Sequence, residues 1–263
     1  MVDTNVVFDD ATGYERYMGR WSRAVGEKFL AWLAPAANAR WLDVGCGTGA
    51  FSQLIVNKAA PGAVSAVDPA PAQVEHAKTL LPAIDVQVAG ALALPFEDNI
   101  FDIVASALVL HFLPDRGKAF SEMRRVAKPG GMVCGYTWNR NADSTFAPYA
   151  PMARGIKTMG LPVTMSPLVP EADTPGLQAT LDASGFRDIA ITKIEATERF
   201  RDFDDYWQVQ TMTFHPIGKT VAAMSDTDRN TLRDSMRRTL PAASDGSIGY
   251  SSRAIAFKAR KAG

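Results

Sequence analysis

The stretch ARWLDVGCGTG, residues 39–49, decides the fold. Its apolar run reaches an acid, Asp43, and then three alternating glycines, Gly45, Gly47 and Gly49, after which helical spacing resumes at Phe51, Leu54 and Ile55. That order is a strand, a tight turn and a helix N-terminus. Glycine tolerates a positive φ and lets a ligand lie on bare backbone, while a helix start offers unpaired N–H groups. A ligand gripped by main chain is expected here.

The next strand, AVSAVDP at Ala63–Pro69, presents Asp68 nineteen residues past Gly49, where a carboxylate can accept hydrogen bonds from ribose hydroxyls. Gly45-x-Gly47-x-x-Ala50 followed by such an acid also fits a dinucleotide-binding turn, so an NAD-dependent oxidoreductase stays open at this level. Asp68 also reads as a cap for the helix after Pro69.

Upstream, Val25, Phe29, Trp32 and Leu33 recur at helical spacing behind Ser22, which reads as the cap of an amphipathic helix. Before it, YERYMGRW (Tyr14–Trp21) is aromatic and basic, and either pins the helix on the core or covers a ligand. Downstream come a helix over Ala72–Leu81, a strand over Ile84–Ala89 and the apolar run FDIVASALVL from Phe101, whose continuity suits a strand buried on both faces. Asp115 caps a helix carrying Phe120, Met123 and Ala127, stopped by Pro129-Gly130-Gly131, and Met132–Trp138 forms the fifth strand. This alternation predicts an α/β fold with a parallel, doubly wound, Rossmann-like sheet in a single domain spanning 1–263.

The rhythm then breaks. Prolines at 148, 151, 162, 167, 170 and 175 leave no room for a long regular element, which predicts a loop-rich insertion over about 140–175. A helix over Leu177–Ala183 resumes the fold, followed by strands at Ile189–Ile194 and Arg253–Lys258. Between those strands, over 201–249, helical stretches fall near Asp204–Met212 and Asp226–Leu240. The two excursions read as parts of one cap.

The 28 basic and 28 acidic residues cancel, and only Lys258–Lys261 is locally basic, so a nucleic-acid partner is not expected. The N-terminus is acidic where a leader would be basic, and no apolar run approaches the ~18 residues that cross a bilayer. A cytoplasmic location without a membrane span is expected. Cys46 and Cys134 show no metal or redox spacing, so reduced thiols and no metal are expected.

Four segments in order, LDVGCGTG, VDPAPAQVEHAK, LALPFEDNIFDIVASALVLHFLPD and EMRRVAKPGGMV, resemble the class I S-adenosylmethionine-dependent methyltransferases, in particular the small-molecule branch near the ubiquinone-biosynthesis methyltransferases. The resemblance covers about Arg40–Trp138. It implies a seven-stranded sheet of order 3-2-1-4-5-7-6 with strand 7 antiparallel. Strand 4 would then separate the strands carrying Cys46 and Cys134 by two spacings of ~4.8 Å, too far for a disulfide.

The same resemblance implies S-adenosylmethionine as cofactor and a small-molecule acceptor. Asp43, Gly45, Cys46, Gly47, Thr48 and Gly49 would line the methionine and ribose side, with Asp68 and Pro69 at the ribose, Ala91 and Leu92 at the adenine, and Ser106 and Ala107 beside the methyl. Tyr14 or Tyr17 would cover the cofactor and Arg20 would meet its carboxylate, as part of a cofactor-covering segment over 14–33. One departure stands out. The family often has an acid at the position of Gly90, so the adenine amino group here loses its expected side-chain acceptor.

Methyl transfer is an in-line displacement that needs alignment, water exclusion and an available lone pair, and a general base helps when the acceptor is a hydroxyl. His111, directly after the fourth strand at the carboxyl edge, is the candidate base, and His215 the second. Trp138, Asn139, Tyr149 and Trp207 are candidate linings for an apolar or aromatic acceptor attacking through O, N or C. A non-catalytic protein that keeps the cofactor fold is the remaining alternative.

Overall fold

The computed structural model describes residues 15–139, 149–163, 173–213 and 215–263. At its centre β1 (Arg40–Val44) pairs in parallel with β2 (Ala63–Asp68) on one side and β4 (Phe101–Ala107) on the other. β3 (Asp85–Val88) extends the sheet beyond β2, and β5 (Ala127–Trp138) beyond β4. β7 (Ile248–Lys261) enters antiparallel between β5 and β6 (Phe186–Phe200), completing the order β3-β2-β1-β4-β5-β7-β6. This is the sheet that the resemblance implies. β4 lies between β1 and β5, and both cysteines are buried and free.

Helices cover both faces because the central strands are apolar on both. Against one face, α1 (Arg20–Leu33) and α2 (Ala50–Lys58) bury Trp21, Val25, Phe29, Phe51 and Leu54 on Trp41, Ile103 and Tyr136. The Tyr136 hydroxyl donates to the Ser22 carbonyl at 3.2 Å, which fixes α1 over β5. Against the other face, α4 (Arg116–Val126) and α6 (Thr174–Ala183) bury Phe120, Met123, Leu177 and Leu181 on Leu42, Val44, Phe101 and Val104. Trp41 and Phe101 are fully buried, so truncating either to alanine would cost about 3–5 kcal/mol. Between β2 and β3 runs α3 (Pro71–Leu80), and Asp115 caps α4 by accepting from the Lys118 N–H at 2.8 Å.

A third core belongs to the cap. There α5 (Ala150–Thr158), α7 (Phe203–Gln210), α8 (Pro216–Ala222) and α9 (Asp226–Thr239) gather Met152, Ile156, Tyr206, Ile217, Leu232 and Met236 around Phe200.

Several elements differ from the sequence expectations. Ser22 is not a cap: α1 begins at Arg20 after a π-helical turn over Glu15–Gly19, and its N-cap residue makes no side-chain bond. The insertion holds the nine-residue α5, because Pro151 falls in the first turn, where its missing N–H costs nothing. α8 is likewise opened by Pro216. β6 and β7 are far longer than their apolar cores suggest, pairing from Phe186↔Lys261 to Phe200↔Ile248. β6 is an edge strand with many exposed positions, so its polar ends read as loop although they pair with β7 apart from a bulge between Arg187 and Ala190.

Candidate functional site

The glycine turn is stitched to its neighbour strand. The N–H groups of Gly45 and Cys46 both donate to the Val67 carbonyl, at 2.8 and 3.0 Å, and the Gly49 N–H closes the turn on the Cys46 carbonyl at 2.9 Å. Gly45, Gly47 and Gly49 have φ of +78°, +54° and +90°. At Gly45 the requirement is double, since a Cβ would also lie 2.4 Å from Val109 Cγ2. Asp68, at the end of β2, accepts the Gly47 N–H on Oδ2 and the Ala70 N–H on Oδ1, each at 2.9 Å. Burial raises its pKa against the pull of those two donors.

A cavity of about 280 Å³ opens at the carboxyl ends of these strands. Gly45, Gly47, Asp68 and Pro69 form its polar side, together with Gln73 from the first turn of α3. Gly90, Ala91 and Leu92, just past β3, bound one end. Ala107 at the end of β4 and Leu108 and Val109 just past it bound another, with Phe112, Leu113 and Pro114 beside them. Leu108 takes a left-handed φ of +61° with its side chain buried and its N–H donating to the Tyr136 carbonyl at 2.8 Å. A leucine in that region is strained, and here the kink turns the chain from β4 toward Phe112.

The wall carrying Ala91 and Leu92 is locked from behind. Glu122 Oε2 accepts the Leu94 N–H at 2.9 Å, and Arg125 donates to the carbonyls of Leu94 and Phe96 at 3.0 and 2.7 Å while pairing with Glu122 at 2.8 Å. The LALPF and EMRRV segments are thus two halves of one polar clamp.

Beneath the turn, Asp43 is fully buried. Ser52 Oγ donates to its Oδ2 at 2.6 Å, while Oδ1 has no partner among the described residues. Burial, with a smaller repulsion from Asp68, pushes its pKa up to about 7. Ser106 Oγ, at the end of β4, is also buried without a described partner. Two orphaned acceptors beside a glycine turn fit a ligand with ammonium and hydroxyl donors.

The other sequence-predicted residues fall elsewhere. Cys46 and Thr48 are buried within the turn. Tyr14 lies outside the described residues. Tyr17 stacks on the His215 ring, with centroids 4.4 Å apart and planes 15° apart, inside the cap core. Arg20 lies over Phe200 and contacts Glu198 and Asp205, each at 3.7 Å. His111 sits in a 3-10 turn (Leu110–Phe112), its ring 4.0 Å from that of Phe112. Trp138 meets Trp21 edge to face at 5.8 Å, and the buried Asn139 holds its N–H on the Arg253 carbonyl at 2.9 Å. Tyr149 and Trp207 are half-buried against the cap core. His215 caps α8, accepting the Gly218 N–H on Nδ1 at 3.3 Å, and burial lowers its pKa to about 4.

Sequence reasoning missed Gln73, Leu108, Val109, Phe112, Leu113 and Pro114. Gln73 stands four residues past Pro69 and Phe112 directly after His111, inside segments already quoted, and that proximity was the available signal.

The sheet order β3-β2-β1-β4-β5-β7-β6, with β7 antiparallel, is that of the Rossmann-like methyltransferase fold. Residues 42–135 match a family model described as a methyltransferase domain. The chain is 36% identical over 138 residues to the uncharacterized methyltransferase Mb3374 of Mycobacterium bovis, covering 52% of this chain and 54% of that protein. It is 34% identical over 137 residues to the chloroplastic tocopherol O-methyltransferase of Arabidopsis thaliana, covering 48% of this chain and 39% of that one. The chain thus spans about half or less of the length of these curated relatives. In fold it is similar to Haemonchus contortus phosphoethanolamine N-methyltransferase 2 in complex with S-adenosyl-L-methionine, with a TM-score of 0.58 and 16% identity, covering all of this chain and 61% of that one. Among the described residues, no helix is long and apolar enough to cross a membrane.

Proposed function

We propose that the protein transfers a methyl group from S-adenosylmethionine to a small, apolar or aromatic acceptor through an O, N or C nucleophile. The observation that carries this reading is the cavity at the ends of β1, β2 and β4, polar on the Gly45–Asp68 side and apolar at Leu92, Phe112 and Leu113. When bound, the cofactor supplies an electrophilic methyl on a sulfonium. The chain's own part is to grip and align. The bare turn at Gly45–Gly49 lies against the amino-acid portion, Asp43 Oδ1 and Ser106 Oγ take its donors, and the remaining lone pairs of Asp68 take the ribose hydroxyls.

Alignment and water exclusion are the main requirements of the displacement, so no universal catalytic side chain is needed. His111, one residue from the cavity-lining Phe112, is the general base for a hydroxyl acceptor. Burial keeps His215 neutral and lowers its basicity, and its Nδ1 is committed to the α8 cap, so it serves the cap rather than the proton transfer. Arg20, already engaged with Glu198 and Asp205, ties the N-terminal segment to the cap. Tyr17, Tyr149 and Trp207 pack in the cap core rather than on the cavity, so the support for an apolar or aromatic acceptor is the apolar lining at Leu92, Phe112 and Leu113.

Calorimetry with S-adenosylhomocysteine, followed by label transfer from S-adenosylmethionine to a panel of phenols and amines, tests this. Binding with transfer supports it. Absence of binding overturns it, and binding without transfer to any member identifies a non-catalytic cofactor binder.

A further inference from the structure

Three glycines line the cavity, and two of them are required by backbone geometry. Gly45 and Gly47 have positive φ, and Gly45 also has no room for a Cβ. Gly90 differs: its φ lies outside the left-handed region, and a Cβ built on it meets no atom within 4 Å. Neither conformation nor packing calls for glycine at this cavity-lining position, and a side chain there would start into open space.

Where that space lies follows from the strand order. The glycine turn follows β1, Asp68 ends β2 and Gly90 stands two residues past β3, so these three features run in sequence along the carboxyl edge of β1-β2-β3. With strands ~4.8 Å apart, Gly90 is about two spacings from the turn, on the far side of Asp68. A ligand anchored by its amino-acid end at the turn and by its ribose at Asp68 therefore directs its base toward Gly90. Around it, Ala91 and Leu92 are apolar, and the Gly90 carbonyl is already used by the Ala93 N–H at 3.2 Å. No side chain stands at this position to meet or block the exocyclic amino group.

We propose that Gly90 leaves the base-binding end of the cavity open, so that this protein binds S-adenosyl ligands carrying a bulky substituent on the adenine amino group. This rests on the cofactor reading above. The substituent passes through the gap that a side chain at Gly90 would fill. A residue with a branched side chain there needs no strained backbone and closes the gap, so position 90 sets tolerance at the base.

The test is calorimetry on the full chain with S-adenosylhomocysteine and with its N6-benzyl derivative. Wild-type protein binds the derivative within about tenfold of the parent, Gly90→Ala keeps that ratio, and Gly90→Leu weakens the derivative at least about tenfold more than it weakens the parent. Thermal denaturation of both variants confirms that they fold. If wild type binds the parent but loses the derivative by more than about tenfold, or if Gly90→Leu weakens both ligands alike, the proposal is overturned. If wild type does not bind the parent, the cofactor reading itself fails, an outcome distinct from loss of the derivative alone.

Discussion

The carboxylate of Asp68 takes the backbone N–H of Gly47 on Oδ2 at 2.9 Å, joining the end of β2 to the turn that follows β1. One side chain therefore shapes the turn and also stands in the cavity wall. Replacing Asp68 by alanine removes the acceptor for both Gly47 and Ala70. Hydrogen bonds to a charged group contribute about 1.5–3 kcal/mol each, so S-adenosylhomocysteine affinity is expected to fall by more than about tenfold, with a lower Tm. Calorimetry and a melting curve read the two effects, and an unchanged Kd would remove Asp68 from the site.

Gly45→Ala faces both a φ of +78° and the Val109 side chain 2.4 Å away, whereas Gly130→Ala meets only a φ of +71° with nothing within 4 Å. Strain alone costs about 1 kcal/mol and forced overpacking adds about 1–3 kcal/mol. Urea denaturation should show the larger loss at Gly45. Pairing Gly45→Ala with Val109→Ala should recover part of it, giving a nonzero coupling energy.

Asp43 makes stability and binding depend on pH in opposite senses. Its folded pKa, about 7, lies above the ordinary carboxylate value, so the fold holds that proton more tightly than the unfolded chain does. Its stabilising contribution is fully present below about pH 4 and is lost as pH rises through 7. Asp43→Asn should flatten that slope in melting curves between pH 4 and 7. Affinity for a ligand ammonium should instead rise between pH 6 and 8 as Asp43 ionises, and the same variant should abolish the rise.

The Glu122–Arg125 clamp is expected to act through the wall behind it. The Arg125 guanidinium holds the Glu122 carboxyl down at about 2. Its contribution is present above the ordinary glutamate value and is lost as pH falls toward 2. At pH 7, Glu122→Gln weakens its bonds to Leu94 and Arg125, and should cost about 2 kcal/mol of stability by urea denaturation.

For a hydroxyl acceptor, His111→Asn should lower kcat by about a hundredfold or more while S-adenosylhomocysteine affinity stays within about threefold. Loss of the acidic limb of the pH–rate profile would identify the proton acceptor. An unchanged kcat would show that alignment alone suffices.

The turn, the acid after β2 and the strand–helix alternation were legible because they are written in local chemistry: glycine spacing, an acid at a strand end and apolar periodicity. The length of β6 and β7 was not. Edge exposure puts polar residues on backbone whose pairing comes from a strand some sixty residues away. Helix α5 was hidden by its prolines, which break a helix in its interior but open one at its first turn.

By itself, then, the sequence determined the sheet core and the backbone-lined turn at Gly45–Gly49, and its four ordered segments carried the resemblance that implied the sheet order. The tertiary structure alone decided where side chains from distant segments meet. It stacks Tyr17 on His215, sets Arg20 against Glu198 and Asp205, and places Gly90 in the cavity lining. Periodicity and spacing describe a residue's neighbours along the chain. Pairing and empty space depend on what the rest of the fold brings opposite it.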